Sequence, residues 1–230
     1  PMYDPDANAP PFNPLPPVVV VLVILIGSVE LLFQLGENGI LGGAAGRGWR
    51  GTIAQQFGFI NSVVYWMWET GQYPAEQVLR FVSYMFVHNT FMAALFSIVF
   101  ILALGKMVGE IFRAWAVLAV FFGSSIFGAI MSTVVASNPI PLVGAFPGAY
   151  GLIGAYSFLL WVTLGARGLN QAGAFTLIGF LMGLQLLFGA LFGGSPDWVA
   201  DLFGFVAGFA LSFVVSPGGW SRLMAKMRRD

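Results

Sequence analysis

The chain has 230 residues, of which 58% are hydrophobic and only 9% are charged, and its formal net charge is zero. Soluble domains average roughly 45–50% apolar and 25% charged residues, so this chain has too little polar surface to cover itself in water. The absence of cysteine excludes disulfides and thiolate metal sites, and the single histidine disfavours an imidazole site. The neutral charge gives no sign of nucleic-acid binding. We therefore expect a polytopic membrane protein without a metal or other cofactor.

Residues 1–17 form a proline-rich segment before the first apolar run. Such a segment, taken alone, is extended and poorly ordered, so a neighbouring chain would be needed to hold it in place. Tyr3 and Phe12 are the candidate contacts with that partner. The segment has two aspartates and no Lys or Arg, unlike the cationic start of a secretory signal. We therefore expect the apolar run that follows to be a retained membrane span.

Six apolar runs near the length needed to cross a bilayer, about 20 residues, follow one another along the chain. The predicted spans are residues 18–35, 79–104, 115–135, 148–164, 172–192 and 199–215. Short loops with proline or glycine separate most of them, since proline cannot continue a helix. The composition and pattern predict an all-α bundle of six transmembrane helices over residues 18–217.

The connection between the first two spans, residues 36–77, is long and rich in aromatic residues. Amphipathic rings are favoured at the membrane interface, so we expect this loop to lie there. Trp66 and Trp68 are interpreted as interface anchors and as candidate contacts for a partner. A gate for substrate or lipid is the alternative role for this aromatic stretch.

The cations are distributed unevenly between the two ends of the predicted bundle. Seven of the ten lie on the side that holds the N-terminus: Lys106, Arg113, Arg167, Arg222, Lys226, Arg228 and Arg229. The other side has Arg47, Arg50 and Arg80. Because Lys and Arg are enriched in cytoplasmic loops, we expect both termini in the cytoplasm of a bacterium and the protein in its inner membrane. Residues 218–230 would then form a basic cytoplasmic tail.

Glycines recur at helical spacing within three of the predicted spans. Gly204 and Gly208 form a G-x-x-x-G motif in the sixth span, and Gly151 and Gly154 share a face of the fourth. A third glycine pair shares a face of the fifth span: Gly179 and Gly183. Small residues allow helix backbones to approach closely in a membrane, so this pattern predicts a compact bundle.

Three segments of the chain are similar to the rhomboid intramembrane proteases. In the first, Arg80 and His88 keep the eight-residue spacing of an Arg and a His at the start of the family's second helix. The second segment matches the family's G-x-S-G and G-L-x-G patterns at Gly144, Gly151, Leu152 and Gly154. In the third, residues 200–208 resemble the A-H-x-x-G pattern of its sixth helix. The resemblance implies the rhomboid fold of six membrane helices.

The positions where the resemblance implies catalytic groups carry other residues. Phe146 and Pro147 stand where the family has its nucleophilic Ser and the following Gly. Asp201 stands in place of the general-base His, and Ala93 and Ser97 replace the His and Asn on the oxyanion side. Hydrolysis needs a nucleophile, a base and oxyanion donors. We therefore expect no protease activity, and we expect Phe146 to fill the former catalytic cavity.

Four further polar residues are candidates for structural roles, and for some of them other roles stay open. His88 is expected to make structural hydrogen bonds, and Glu110 to cap local backbone after the second span. Asp201, in the first turn of the sixth helix, is favoured there by the helix dipole, with His88 or Arg80 as alternative partners. Glu30 lies inside an apolar span, where a charge needs a partner or water. It would reach solvent at the interface, contact a partner helix, or pair with Arg80.

The leading functional hypothesis is a non-catalytic rhomboid-like protein that binds transmembrane helices of other integral membrane proteins within the bilayer. Inactive relatives such as the derlins act as adaptors or chaperones, and the resemblance implies that class here. A subunit, scaffold or assembly factor of an inner-membrane complex would fit, with respiratory and photosynthetic assemblies as candidates. An intramembrane hydrolase that uses other residues is the alternative. A transporter ranks last, because the sequence has no visible inverted repeat.

Overall fold

The computed structural model describes residues 14–136, 140–192 and 196–217. The helices in this described part are α1 Pro17–Glu37, α2 Gly43–Gly46, α3 Trp49–Phe57, α4 Asn61–Thr70, α5 Ala75–Ser83, α6 Phe91–Gly109, α7 Ala114–Val135, α8 Phe146–Ala166, α9 Thr176–Phe192 and α10 Trp198–Val215. Tyr3, Phe12 and the tail 218–230 lie outside the described residues.

Six of the described helices, α1 and α6 to α10, are long and apolar enough to cross a membrane, with α9 taken together with the 3-10 turn before it. Their mean hydropathy runs from 1.4 to 2.7. The prediction of an all-α polytopic membrane protein with six spans is thus confirmed. Helices α2 to α5 all lie in the connection between α1 and α6, at the end of the bundle where α8 and α10 begin.

The second predicted span, residues 79–104, was wrong at its start. Its first residues belong to the short helix α5, and the chain then makes a 3-10 turn over Tyr84–Phe86 before α6 begins at Phe91. The sequence signal for this boundary is Thr90, whose side-chain oxygen accepts a hydrogen bond from the Ala93 N–H. A threonine N-cap satisfies a backbone donor that the helix start leaves free, and hydropathy alone does not detect it.

The connection 36–77 is attached to the bundle by hydrogen bonds to the C-terminal end of α7 and to the segment that leads into α8. On α4, the Tyr65 hydroxyl donates to the Thr133 carbonyl, and the Asn61 amide donates to the Ala136 carbonyl. Before α4, the backbone of Phe59 pairs with that of Leu142, in the segment that leads into α8. These bonds place the connection over the end of the bundle. Trp66 and Trp68 remain exposed on α4.

Helix α8 is the central helix of the bundle, and α10 lies against it at backbone distance. A Cβ atom at Gly208 would overlap the backbone of Gly151, and one at Gly204 would overlap the carbonyl of Pro147. A Cβ at Gly154 would likewise meet the backbone of Phe205. Since no side chain fits between the two helices, glycine at these positions is what permits the contact.

Helix α9 differs from the others because it packs mainly at the edge. Only 17% of its apolar window is buried, against 50% for α8. Gly179 and Gly183 are exposed, and a Cβ at either would meet no atom within 4 Å. Among the described residues, nothing packs closely against this glycine pair, in contrast to the glycines of α8 and α10. The spacing of glycines along a helix does not show against which of its faces other helices pack.

These two glycine environments give a matched pair of variants. Gly208→Ala should lower the free energy of unfolding by about 2 kcal/mol or more, because the added methyl forces α8 and α10 apart. Gly183→Ala should leave it unchanged or raise it by up to about 1 kcal/mol, since alanine is the better helix former and space is open there. Thermal unfolding of the two variants in detergent measures the difference. Equal effects would contradict the close contact of α8 and α10.

Candidate functional site

A cavity of about 520 Å³ lies between α6, α8, α9 and α10, at the end of the bundle covered by α2 to α5. Its wall is largely apolar, with four phenylalanines: Phe96, Phe100, Phe146 and Phe188. Its polar side chains are Asn89, Tyr150, Gln185, Asp197 and Asp201. The cavity therefore combines aromatic walls with a polar region that includes two acids.

The polar region contains a directed chain of hydrogen bonds. The Tyr150 hydroxyl donates to Gln185 Oε1 at 3.1 Å, and Gln185 Nε2 donates to Asp201 Oδ2 at 2.8 Å. Asp201 stands in the first turn of α10, as the sequence predicts, and is 4% exposed. The suggested pairing of Asp201 with His88 or Arg80 was wrong. Its partner is an amide on α9, because that helix passes in front of the start of α10.

The expectation that Phe146 fills this cavity was wrong. Phe146, the first residue of α8, and Ala93 both line the cavity, which stays open between them. Ser97 is completely buried and lies outside the lining, with its hydroxyl on His88. The volume of about 520 Å³ is what remains with the Phe146 ring in place, so this ring does not plug the cavity.

His88 joins the start of α6 to the start of α8. Its Nε2 accepts a hydrogen bond from the Ala145 N–H at 3.2 Å and lies 3.1 Å from the Ser97 hydroxyl. Because Nε2 accepts from a backbone N–H, the Ser97 hydroxyl is the donor in the second bond. The ring is 1% exposed, and this burial lowers the pKa of His88 to about 4. His88 is a neutral structural group here.

Glu30 forms a buried ion pair with Arg50. Arg50 donates to both carboxylate oxygens of Glu30, at 2.9 and 2.8 Å, and a further bond comes from Gln34. The same guanidinium donates to Glu37 and to the His88 carbonyl. Glu30 is 5% exposed, so its suggested roles as a group in solvent, a contact for a partner helix or a partner of Arg80 were wrong.

Arg80 and Glu110 lie away from the cavity. Arg80 on α5 donates to the carbonyls of Gln55 and Gly58, both at 2.8 Å, and so closes the end of α3. Desolvation lowers the pKa of Arg80. Glu110 is exposed at the end of α6, where its backbone N–H donates to the Lys106 carbonyl. Neither residue contributes to the lining of the cavity.

Three residues of the site escaped sequence reasoning: Arg50, Tyr150 and Gln185. Gln185 had a usable signal, because an amide in the middle of an apolar helix needs a hydrogen-bond partner. Arg50 looked like one of several loop cations, and only the folding of α3 against α1 brings it to Glu30. Tyr150 looked like one more aromatic residue of a membrane helix.

Comparison with known proteins agrees with this architecture. The family model described as Rhomboid domain matches residues 75–218, more than half of the chain and all the helices that line the cavity. The chain belongs to the rhomboid family. This rhomboid is similar to "Rhomboid-like protease 1" of Toxoplasma gondii, with 25% identity over 138 residues. The match covers 60% of the rhomboid chain and 47% of that relative, so the chain spans about half the length of the curated protein it matches.

The ion pair predicts a strong effect of Glu30→Gln. The amide keeps the size of the side chain but leaves Arg50 without its main counter-charge, at a side-chain exposure of 12%. We expect a loss of about 3 kcal/mol in the free energy of unfolding. Glu37→Gln, at the more exposed partner of Arg50, should cost less than about 1 kcal/mol. Denaturation of both variants in the same detergent provides the test, and similar losses would contradict the ranking.

The neutral state of His88 predicts a pH dependence of stability. The unfolded ring titrates at about 6.5 and the folded ring at about 4, so the unfolded chain binds the extra proton between these values. Stability from this group is present above pH 6.5 and is lost as the pH falls. From pH 7.5 to 5 the loss is about 2 kcal/mol, at 1.36 kcal/mol per unit. His88→Gln should be less stable at pH 7.5 but show a smaller drop. An unchanged drop would assign it to other groups.

Proposed function

We propose that this rhomboid is a non-catalytic member of its family that binds transmembrane helices of other membrane proteins. The observation that supports this is the content of the cavity: its wall presents Phe146 where the family resemblance implies a nucleophile, and Asp201 where it implies a base. A phenyl ring has no nucleophilic atom. The Asp201 carboxyl group accepts a hydrogen bond from the Gln185 side chain, and an amide offers no hydroxyl for it to activate.

The surface of α9 supports a role in helix binding. The exposed face carries Gly179 and Gly183 beside large apolar side chains such as Leu187. Small residues let a second helix approach to backbone distance, which supplies van der Waals contact where lipid gives no hydrophobic driving force. The exposed Trp66 and Trp68 on α4 would contact the same kind of partner nearer the interface.

The protein would act as a subunit, scaffold or assembly factor of a membrane complex, with respiratory and photosynthetic assemblies as candidates. Its membrane would be the bacterial inner membrane, with both termini in the cytoplasm. The distribution of cations supports this orientation, because in the sequence seven of the ten fall in or beside the loops and the tail on the side of the N-terminus.

Variants at two open glycines test the helix-binding function. Gly183 on α9 and Gly27 on α1 both have space for a larger side chain, since a Cβ at either meets nothing within 4 Å. In mild detergent from native membranes, the wild-type protein should migrate with other membrane proteins. Gly183→Leu should lose them, because the added side chain blocks close approach, whereas Gly27→Leu should keep them. A wild-type protein that runs alone as a monomer would overturn the proposal.

One observation favours hydrolase chemistry as a second candidate. The Ser97 hydroxyl lies 3.1 Å from His88 Nε2, a distance at which an imidazole can activate a serine. Against this role, both side chains are almost fully buried, neither lines the cavity, and His88 also accepts the Ala145 N–H. We expect no labelling of the purified protein by a fluorophosphonate probe. Labelling of the wild type that disappears in Ser97→Ala would establish the hydrolase instead.

A further inference from the structure

The acid Asp201 needs an explanation beyond its bond to Gln185. A carboxylate can accept about four hydrogen bonds, and Gln185 supplies one of them to a group that is 4% exposed. Among the described residues, no cation lies within ion-pair distance of Asp201, and no Lys, Arg or His lines the cavity. An isolated buried charge is costly, so the ionised form of Asp201 needs a counter-charge that the described chain does not provide and that a bound ligand could supply.

The hydrogen bonds around Asp201 all run toward its carboxyl group. Tyr150 donates to Gln185, and Gln185 donates to Asp201, which as a carboxylate only accepts. What this end of the cavity offers to a ligand is therefore negative charge and acceptor oxygens. The ligand chemistry that matches is a cation with N–H donors.

The size and walls of the cavity restrict the ligand further. Its volume of about 520 Å³ is within the range of small-ligand sites, roughly 300–1,000 Å³. A whole membrane helix, about 10–12 Å wide and 30 Å long, is far too large. One long side chain fits, and a lysine or arginine buries its apolar stem while its charged end reaches polar groups. The phenylalanines of the wall suit such a stem, and their ring faces attract cations.

The position of the cavity mouth and the depth of Asp201 indicate where the partner helix that carries this side chain would lie. Phe96 on α6 and Phe188 on α9 are both more than half exposed, so the cavity opens between these two helices. Asp201 is three residues after the start of α10 at Trp198, about 4.5 Å along the helix axis. This is near the end of a span, where lysine and arginine of a membrane helix commonly stand.

We propose that the cavity binds the side-chain cation of a lysine or arginine on a partner membrane helix, with Asp201 as its counter-ion. The inference rests on the proposed function and specifies the partner: a membrane helix with a basic residue in its terminal turn. The partner helix lies at the mouth between α6 and α9, and its basic side chain enters along the phenylalanine wall. Gln185 and Tyr150 hold the carboxylate in position to meet it.

Two synthetic single-span peptides test the proposal with the full-length protein in phosphatidylcholine vesicles. Both have about 20 apolar residues, and they differ only in a lysine or a glutamine in the last turn. Energy transfer from labelled protein to labelled peptide measures affinity. The wild type should bind the lysine peptide at least about tenfold more tightly, which corresponds to about 1.4 kcal/mol. Asp201→Asn, which keeps the side-chain size, should remove that preference.

Glu69→Gln is the matched control, because Glu69 is an exposed acid on α4 at the same end of the bundle. It should keep the preference for lysine. Equal binding of both peptides to the wild type, or a preference that survives in Asp201→Asn, would overturn the cation site and leave the proposed function standing. If neither peptide binds, the result would count against helix binding itself. Loss of the preference when phosphatidylethanolamine replaces phosphatidylcholine would assign the site to a lipid amine and overturn the partner-helix assignment.

Discussion

A charged pair buried between α1 and α3 organises the end of the bundle that contains the cavity. Arg50 neutralises Glu30 on α1, and its remaining donors reach Glu37 and the His88 carbonyl. Its guanidinium also lies 4.9 Å from the ring centroid of Phe33. A guanidinium presents several donors in a fixed plane, so one residue can hold groups from three parts of the chain. The pair thereby connects the first membrane helix to the start of the second.

His88 connects this ion pair to the wall of the cavity through hydrogen bonds. Its carbonyl is held by Arg50, and its ring holds the Ser97 hydroxyl and the Ala145 N–H. Ala145 directly precedes α8, so the position of Phe146 depends on a series of hydrogen bonds that begins at Glu30. Buried polar networks of this kind are stabilising only when every member has a partner, and here each of these groups does. The same network explains why Ser97 is kept away from the cavity.

The close contact of α8 with α10 leaves α9 at the edge of the bundle. Because glycines bring α8 and α10 together at backbone distance, these helices and α7 form a core that is complete without α9. Helix α9 is left at the edge, attached to the core in part through Gln185, which bonds to Tyr150 on α8 and to Asp201 on α10. The cavity exists where the edge helix does not fill the space beside the core. A packed core and an open site thus arise from the same placement of small residues.

The sequence by itself determined the membrane class and the six spans, and it singled out Phe146 and Asp201 at the site, because hydropathy and residue chemistry are local properties. It missed the break before α6, which depends on a single threonine cap rather than on hydropathy. Only the tertiary structure decided that Glu30 pairs with Arg50, that Asp201 bonds to Gln185, and that the cavity beside Phe146 stays open. These outcomes depend on which helix faces come together. Contacts between residues distant in sequence determine which faces meet. The periodicity of one helix does not show which other helix will cover its face.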